Sequence, residues 1–377
     1  MESKYKISLI TPVYNAGEYL EDAINSVLGQ TIGFENIEWL MVDDCSTDGS
    51  YERILRLAEQ YPNVKVLKTP HNSDTPAEPR NIALDNVSAP YVMFLDNDDA
   101  YYPNACKVLY EEAERTGADS VCGDAELMHK EQFTKEERTE LIFQNKNSFL
   151  GEYEIGLPLD DSIRVFILNH WSKIYRTEII QKYHIRCLKG ELWEDLLFVD
   201  QYLSCCQRVV HIPDNIVSYR VRRESLSHEQ TKRFHNSIPK SVAYGYRHME
   251  EIGGRPLQIF SEILGKYEMT FEHHIDLLLK NTGMSDDDIG ECVLAWKDAF
   301  CLAHKHNTQP VSAYCKILED DFVSGDDDKA LFHFFTLREL YRQRKTELDN
   351  IFNSHSWKLM SKITSVEDKV RGLVNRG

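Results

Sequence analysis

Three carboxylates, Asp96, Asp98 and Asp99, close the apolar run Tyr91-Val-Met-Phe-Leu95, with Asn97 between the first two. Five apolar or aromatic residues without a charge read as a strand buried on both faces, as in a parallel sheet. Side chains alternate along an extended chain, so Asp96 and Asp98 leave the strand end on the same side. Two carboxylates aimed at one point repel unless a cation lies between them, and a hard divalent ion such as Mn2+ or Mg2+ suits oxygen donors. A solvated acidic turn before the next helix is the other reading of these residues. A second acidic pair, Glu194-Asp195, precedes Leu196-Leu-Phe198 and reads as a helix start. An ionised carboxylate gains about 0.3–1 kcal/mol there, and taken alone these acids read first as an ordinary helix cap.

Strand and helix alternate around these acids. Ile7–Ile10 reads as a first strand running into Thr11-Pro-Val-Tyr-Asn15, after which Leu20, Ala23, Ile24, Val27 and Leu28 recur at helical spacing. Ile37–Val42 reads as a second buried strand ending at Asp43-Asp44. The helix after it carries Tyr51, Ile54, Leu55, Ala58 and Tyr61 on one face, with Asp48 or Ser50 as its N-cap. A third strand falls at Val64–Leu67, a short helix at Pro79–Val87, the fourth strand at Tyr91–Leu95, a helix from Pro103 and a further strand at Asp119–Asp124. This alternation predicts an α/β fold, a mostly parallel sheet with flanking helices. Ligands in such sheets bind outside the carboxyl ends of the strands, where Thr11, Asp44, Asp96 and Asp98 all fall. From about Phe234 the spacing becomes helical throughout, at Pro256–Lys280, Ile289–His304 and about Asp328–Phe352, with Ser285 as a good cap.

Composition narrows the function classes. A net charge of −18 argues against nucleic acid as a partner, because phosphate binding needs a basic surface. The nine cysteines are odd in number and form no C-x-x-C pair, which predicts free thiols in a reducing compartment rather than disulfides or zinc. No apolar run is long enough for a bilayer and no signal region follows Met1, so a cytoplasmic location is expected. His170, the pair His273-His274, and His304 with His306 have no metal-spaced partners and read as satisfied structural histidines.

Taken together, Thr11-Pro-Val-Tyr-Asn15, Val42-Asp-Asp-Cys-Ser-Thr-Asp-Gly-Ser50, Arg80-Asn81, Phe94-Leu-Asp-Asn-Asp-Asp99 with Pro103, Glu194-Asp195 with Phe198, and Tyr219-Arg220 with Ser225 and Ser227 resemble the family-2 inverting glycosyltransferases of the GT-A fold, of the bacterial surface-glycan type. The resemblance covers roughly residues 5 to 230, within one domain's length. It implies a catalytic domain at 1–233, its nucleotide-binding half at 1–105 and its acceptor half at 106–233; the helical spacing beyond it predicts an all-helical domain at 234–377, outside the family's motif set. It also implies a nucleotide-sugar donor, UDP-linked, and a glycan or lipid-linked acceptor.

The family's pattern assigns base recognition to Asp44, with Thr11, Pro12 and Tyr14 lining the same pocket and Asn97 among the nucleotide contacts. Arg80 is expected to face the base or the phosphates, although the loop Asn72-Ser-Asp-Thr-Pro-Ala-Glu-Pro79 lacks the glycine many members have and leaves Asp74 and Glu78 unexplained. Asp98 with Asp96 is implied as the Mn2+ or Mg2+ and ribose site. Asp195 is implied as the general base, with Glu194 as its alternative and Trp193 a candidate either for stacking on the acceptor sugar or for the core. The charged 128–150 stretch reads as a loop or exposed helix between the two halves. The tail Ser356–Leu373, with Trp357, Met360 and Ile363 on one face and Lys358 and Lys362 beside it, suits peripheral membrane contact, packing on the chain's own helices, or homo-oligomer formation. Two other classes remain open: a haloacid-dehalogenase-like phosphotransfer enzyme, for which Ala100 stands where a Thr or Val is wanted, and a non-catalytic sugar-nucleotide-binding scaffold.

Overall fold

In the computed structural model the described residues are 3–128, 150–160, 163, 166, 169–220, 231–266, 271–281, 283–308 and 313–353. Most of the 128–150 stretch, Ser225, Ser227 and the tail from Ser356 lie outside them.

Four parallel strands come first: β1 (Ile7–Val13), β2 (Ile37–Asp43), β3 (Val64–Lys68) and β4 (Tyr91–Phe94), in the spatial order β3-β2-β1-β4. Between them run α1 (Tyr19–Leu28), α2 (Ser50–Gln60) and α3 (Ala77–Leu84). Strands β1, β2 and β4 are buried at every residue, as their near charge-free runs demand. Alternate side chains feed two cores. Ile7, Leu9 and Met93 pack with Leu20, Ile24 and Ile54 on one face, while Ile10, Val92 and Phe94 pack with Ala83, Phe198 and Tyr202 on the other. The expected cap at α2 differs in detail. The cap position is Gly49 in a left-handed conformation, and Asp48 instead accepts from the backbone N–H of Ser50 and of Gly17, tying this helix start to the loop after β1.

Beyond β4 the sheet becomes mixed. After β5 (Ala100–Tyr101) and α4 (Ala105–Thr116) come β6 (Ser120–Met128), β7 (Gly151–Glu154), β8 (Lys173–Arg176), α5 (Thr177–Lys182), α6 (Glu194–Cys205) and β9 (Arg208–Arg220). The order continues β4-β8-β6-β9-β5, with β7 pairing the start of β9 (Arg208–His211) and β5 its end (Val217–Ser218). Strand β8 is antiparallel to both β4 and β6, β6 runs parallel to β9, and β5 and β7 are antiparallel to β9. The α/β class holds. Strands β7, β8 and β9 were not legible as strands, because Lys173 and Arg176 bound one and Pro213-Asp214-Asn215 interrupts another.

The helical region contains α7 (Lys232–Ile252), α8 (Gly254–Lys266), α9 (Phe271–Lys280), α10 (Asp286–Ala295), α11 (Lys297–Lys305), α12 (Ala313–Ser324) and α13 (Asp327–Asn353). The periodic stretch at 256–280 is divided between α8 and α9, and that at 289–304 between α10 and α11, with Trp296 at the break. Ser285 caps α10 as expected, accepting from the Asp288 N–H. This region shares a core with the sheet's last helix. Leu197 of α6 packs with Ile238, Tyr246 and Phe260, while Phe198 and Tyr202 face the sheet. Glu191, just before α6, accepts from Ser237 and Lys240 of α7 at 2.8 and 2.9 Å. Among the described residues no helix is long and apolar enough to cross a membrane.

Two histidines at this seam lack partners, and one of them, His274, departs from the expected satisfied role. His274 is buried with neither ring nitrogen hydrogen-bonded, and His235 Nδ1 also lacks a partner. By contrast, His304 and His306 pair with Glu319 and Glu250 at 3.1 and 2.6 Å. Burial pushes His235 down to about 4 and His274 well below its ordinary value. The unfolded chain then takes up protons first, so stability is complete above about pH 6.5 and falls as the pH drops toward about 4. The urea midpoint should decline across that window, and the decline should be shallower in the His235→Phe, His274→Phe double variant. Equal slopes in the two proteins would remove these rings as the cause.

Candidate active site

Because β1, β2 and β4 run parallel, their carboxyl ends lie side by side and deliver Tyr14, Asp44 and the Asp96–Asp99 loop to one edge of the sheet. The antiparallel return of β8 and the start of α6 bring the second acidic pair to the same edge. One side chain joins them. Arg80, 3 % exposed on α3, lies 2.6 Å through Nη1 from Glu194 Oε1 and 2.7 Å through Nη2 from Asp96 Oδ1. Burial works against its charge, but the two carboxylates outweigh that and raise its pKa.

The neighbours of Arg80 fix the segment leading to α6. The Asn81 side chain donates to Cys187 O at 2.8 Å and accepts from Cys187 N at 2.9 Å, the reciprocal pair a backbone strand would make. Glu78 pairs with Lys189 at 3.2 Å, which accounts for that acid. Asp74 is exposed, in a left-handed turn. Trp193 is left-handed too, with φ 73°, and turns the chain into α6 so that Glu194 and Asp195 stand in its first turn.

The two acids diverge in character. Burial pushes Glu194 up, Arg80 pulls it down and the adjacent Asp195 charge pushes it up again, to about 7. For Asp195 burial also acts upward, but His170 and Arg80 together hold it down to about 2. The Asp195 side chain is 30 % exposed, while Glu194 is closed in and committed to Arg80. The carboxylate that is both ionised and open at neutral pH is therefore Asp195.

The acidic loop after β4 is held from behind. The Arg220 backbone N–H donates to Asp99 Oδ1 at 2.8 Å, its Nε to Asp98 O at 2.8 Å and its Nη2 to Asp22 Oδ2 at 2.6 Å. Asp99 is buried, and burial together with the Asp98 and Asp96 charges raises its pKa well above the ordinary range. It is an internal support of the loop. Asn97 Nδ2 donates to the carbonyl of Tyr14 at 3.4 Å, joining the loops after β4 and β1.

These positions bear on several of the expected site residues. Thr11 is buried within β1, its Oγ1 accepting from Trp39 Nε1 at 3.0 Å, and Pro12 is buried in the same strand. Neither reaches the edge that Tyr14, 47 % exposed, occupies. Arg80 binds protein carboxylates through both Nη atoms. Asp44 already accepts from Thr69 Oγ1 at 2.7 Å and from Ser73 N and Oγ at 3.0 and 2.9 Å. Trp193 packs edge-on against His274, ring centroids 4.8 Å apart, which favours its reading as core. His170, expected to be a satisfied structural histidine, is instead buried at this edge with neither ring nitrogen meeting an aligned hydrogen-bond partner. Its Nδ1 lies 3.4 Å from Asp195 Oδ2 and its Nε2 3.9 Å from Asp96 Oδ1, and a lone histidine 25 positions upstream of its acid gives no spacing signal. Among the described residues no group of three or more His, Cys, Asp or Glu side chains converges as a metal cage.

With this geometry in view, the whole architecture can be set beside known proteins. The fold aligns with that of the Staphylococcus aureus protein TarS, residues 1–349, in complex with UDP-GlcNAc, at a TM-score of 0.69 and 21 % identity over 90 % of this chain and 92 % of that one. The class is thus the GT-A glycosyltransferase fold. Residues 8–183 match the family model described as Glycosyl transferase family 2. Relatives include the glycosyltransferase GlyA of Streptococcus pneumoniae, 26 % identical over 63 % of this chain and 34 % of that protein. The minor teichoic acid biosynthesis protein GgaA of Bacillus subtilis is 31 % identical over 58 % of this chain and 47 % of its own length. The matched part of this chain thus spans less than half of either relative.

Replacing Arg80 by Met leaves Glu194 and Asp96 facing each other without their shared cation. Breaking a buried pair in this way costs about 3–5 kcal/mol. Urea unfolding at pH 8 should show a loss of that size, and a smaller one at pH 5, where the Glu194 carboxyl can take up a proton. A loss under 1 kcal/mol at pH 8 would mean that the bridge does not organise the site.

Proposed function

We propose that this chain is an inverting glycosyltransferase that moves a sugar from a UDP-linked donor to a hydroxyl of a cell-surface glycan or lipid-linked acceptor. The observation that carries the reading is Asp195, an ionised and accessible carboxylate held beside a buried Arg80 bridge at the carboxyl edge of the sheet. An inverting transfer needs such a base at the acceptor hydroxyl, on the face opposite the departing diphosphate. Glu194 and Arg80 fix its backbone, and Asp96 ties the same bridge to the donor side. Asp44 and Tyr14 supply the nucleotide end. For Asp44 this requires the Ser73 hydroxyl to donate to Thr75 O, 2.8 Å away, in place of Asp44 Oδ2, which frees a carboxylate lone pair on Asp44 for the nucleobase N–H.

The acidic loop fits a divalent ion of the kind that binds one or two carboxylates and completes its shell with water and substrate phosphates. Asp98, partly exposed, and the second oxygen of Asp96 would hold Mn2+ or Mg2+. When bound, the ion supplies neutralisation of the charge that develops on the leaving diphosphate. The family match and the likeness to a structure in complex with UDP-GlcNAc support the transfer reading over phosphotransfer chemistry. A binding scaffold without turnover would keep the same nucleotide pocket, so only turnover separates it.

UDP should raise the melting temperature, and by more with Mn2+ or Mg2+ present, because a ligand of the folded state alone stabilises by mass action. Equal shifts with GDP or CMP, or no metal effect, would remove the roles given to Asp44, Asp96 and Asp98. In Asp195→Asn, transfer should fall by about 10²–10⁴-fold, the usual worth of a general base, while the UDP shift stays the same. Activity within a few-fold of the parent chain would take the base away from Asp195.

A further inference from the structure

We propose that His170 is the positioning residue of the base, its Nδ1 edge orienting the Asp195 carboxylate toward the acceptor hydroxyl; this rests on the transfer reading above. The ring is 2 % exposed and lies between the two acids that serve opposite ends of the reaction, with Asp195 the nearer. Neither nitrogen has an aligned hydrogen-bond partner, so the 3.4 Å approach to Asp195 is close in distance and off the bonding line. An imidazole whose nitrogens are unmet in a closed core is a cost that a phenylalanine in its place would avoid.

The ring is held as a positioning group must be. Asn169 before it is left-handed, φ 74°, and its side-chain oxygen accepts from Ser172 Oγ at 2.9 Å and Lys173 Nζ at 3.2 Å. Tyr175 Oη donates to the His170 carbonyl at 2.9 Å. On the other side the ring meets Phe94, the last residue of β4, at 5.3 Å between centroids and 62°. Strand β8, strand β4 and helix α6 therefore converge on one imidazole. A base oriented by a third group is the general logic of activated hydroxyl chemistry, and a displacement of about 1 Å in such a group can cost 10²-fold.

Asparagine and glutamine separate the two edges of the ring, since the asparagine amide falls near Nδ1 and the glutamine amide near Nε2. The measurement is UDP release from UDP-glucose, UDP-galactose and UDP-GlcNAc with water as acceptor, beside UDP affinity by calorimetry and the melting temperature. His170→Gln and His170→Phe should lose about 10²-fold in kcat, with UDP affinity within about twofold. His170→Asn, equally stable, should keep a kcat at least about tenfold above either. Glutamine equal to or better than asparagine, equal rates in all three, or a loss confined to UDP affinity would overturn the assignment. A parent chain that releases UDP from none of the three donors fails the transfer reading, and the role of His170 with it.

Discussion

A guanidinium closed away from water between two carboxylates is the constraint on which the site depends. Arg80 sits on α3, Asp96 follows β4 and Glu194 opens α6, so a single side chain sets the distance between three elements that are far apart in the chain. A buried cation of this kind is tolerable only when both partners are in place, which makes the arrangement all-or-none. Its consequence is a division of labour between neighbouring acids. Glu194 is taken into the bridge and driven toward neutrality by burial, while Asp195, one residue on, is left open to solvent and kept ionised by His170 and Arg80.

The sheet's change of direction serves the same end. Its parallel half aligns the loops after β1, β2 and β4 on one edge. The antiparallel strand β8 then crosses beside β4 and brings the 169–176 segment, with His170 at its start, against the acidic loop. Helix α6 is buried along most of its length because it is shared: Phe198 and Tyr202 face the sheet and Leu197 faces the helical region. The base thus stands at the seam between the sheet and the C-terminal helices, with Trp193 reaching His274 across it. Movement of the helices relative to the sheet would be felt within two residues of Asp195.

The parallel half was legible because a strand buried on both faces is apolar along most of its length, and the runs at 37–42, with Glu38 its one buried charge, and 91–95 have almost no other reading. The helices of the C-terminal region were legible in kind but not in their breaks, since the apolar spacing of 256–280 and of 289–304 continues across the joints. Strands β7, β8 and β9 escaped because their pairing is decided by neighbours distant in sequence. Strand β9 contains Pro213 and still binds β5, β6 and β7.

At the site, the sequence alone determined which residues carry charge to the strand ends: Asp44, Asp96, Asp98, and the pair Glu194-Asp195. Local order suffices for that, because a strand's end and a helix's start are written in a few consecutive residues. Only the tertiary structure decided what each group faces. Thr11 belongs to Trp39 inside the sheet, and Arg80 belongs to two carboxylates, one of them 114 residues away. Glu194 and Asp195 are neighbours of the same chemistry, and their different pKa values follow from which one burial and Arg80 claim. The place of His170 beside Asp195 was equally invisible, because the electrostatic environment of a buried group is set by side chains brought in from other elements, and no spacing along the chain encodes it.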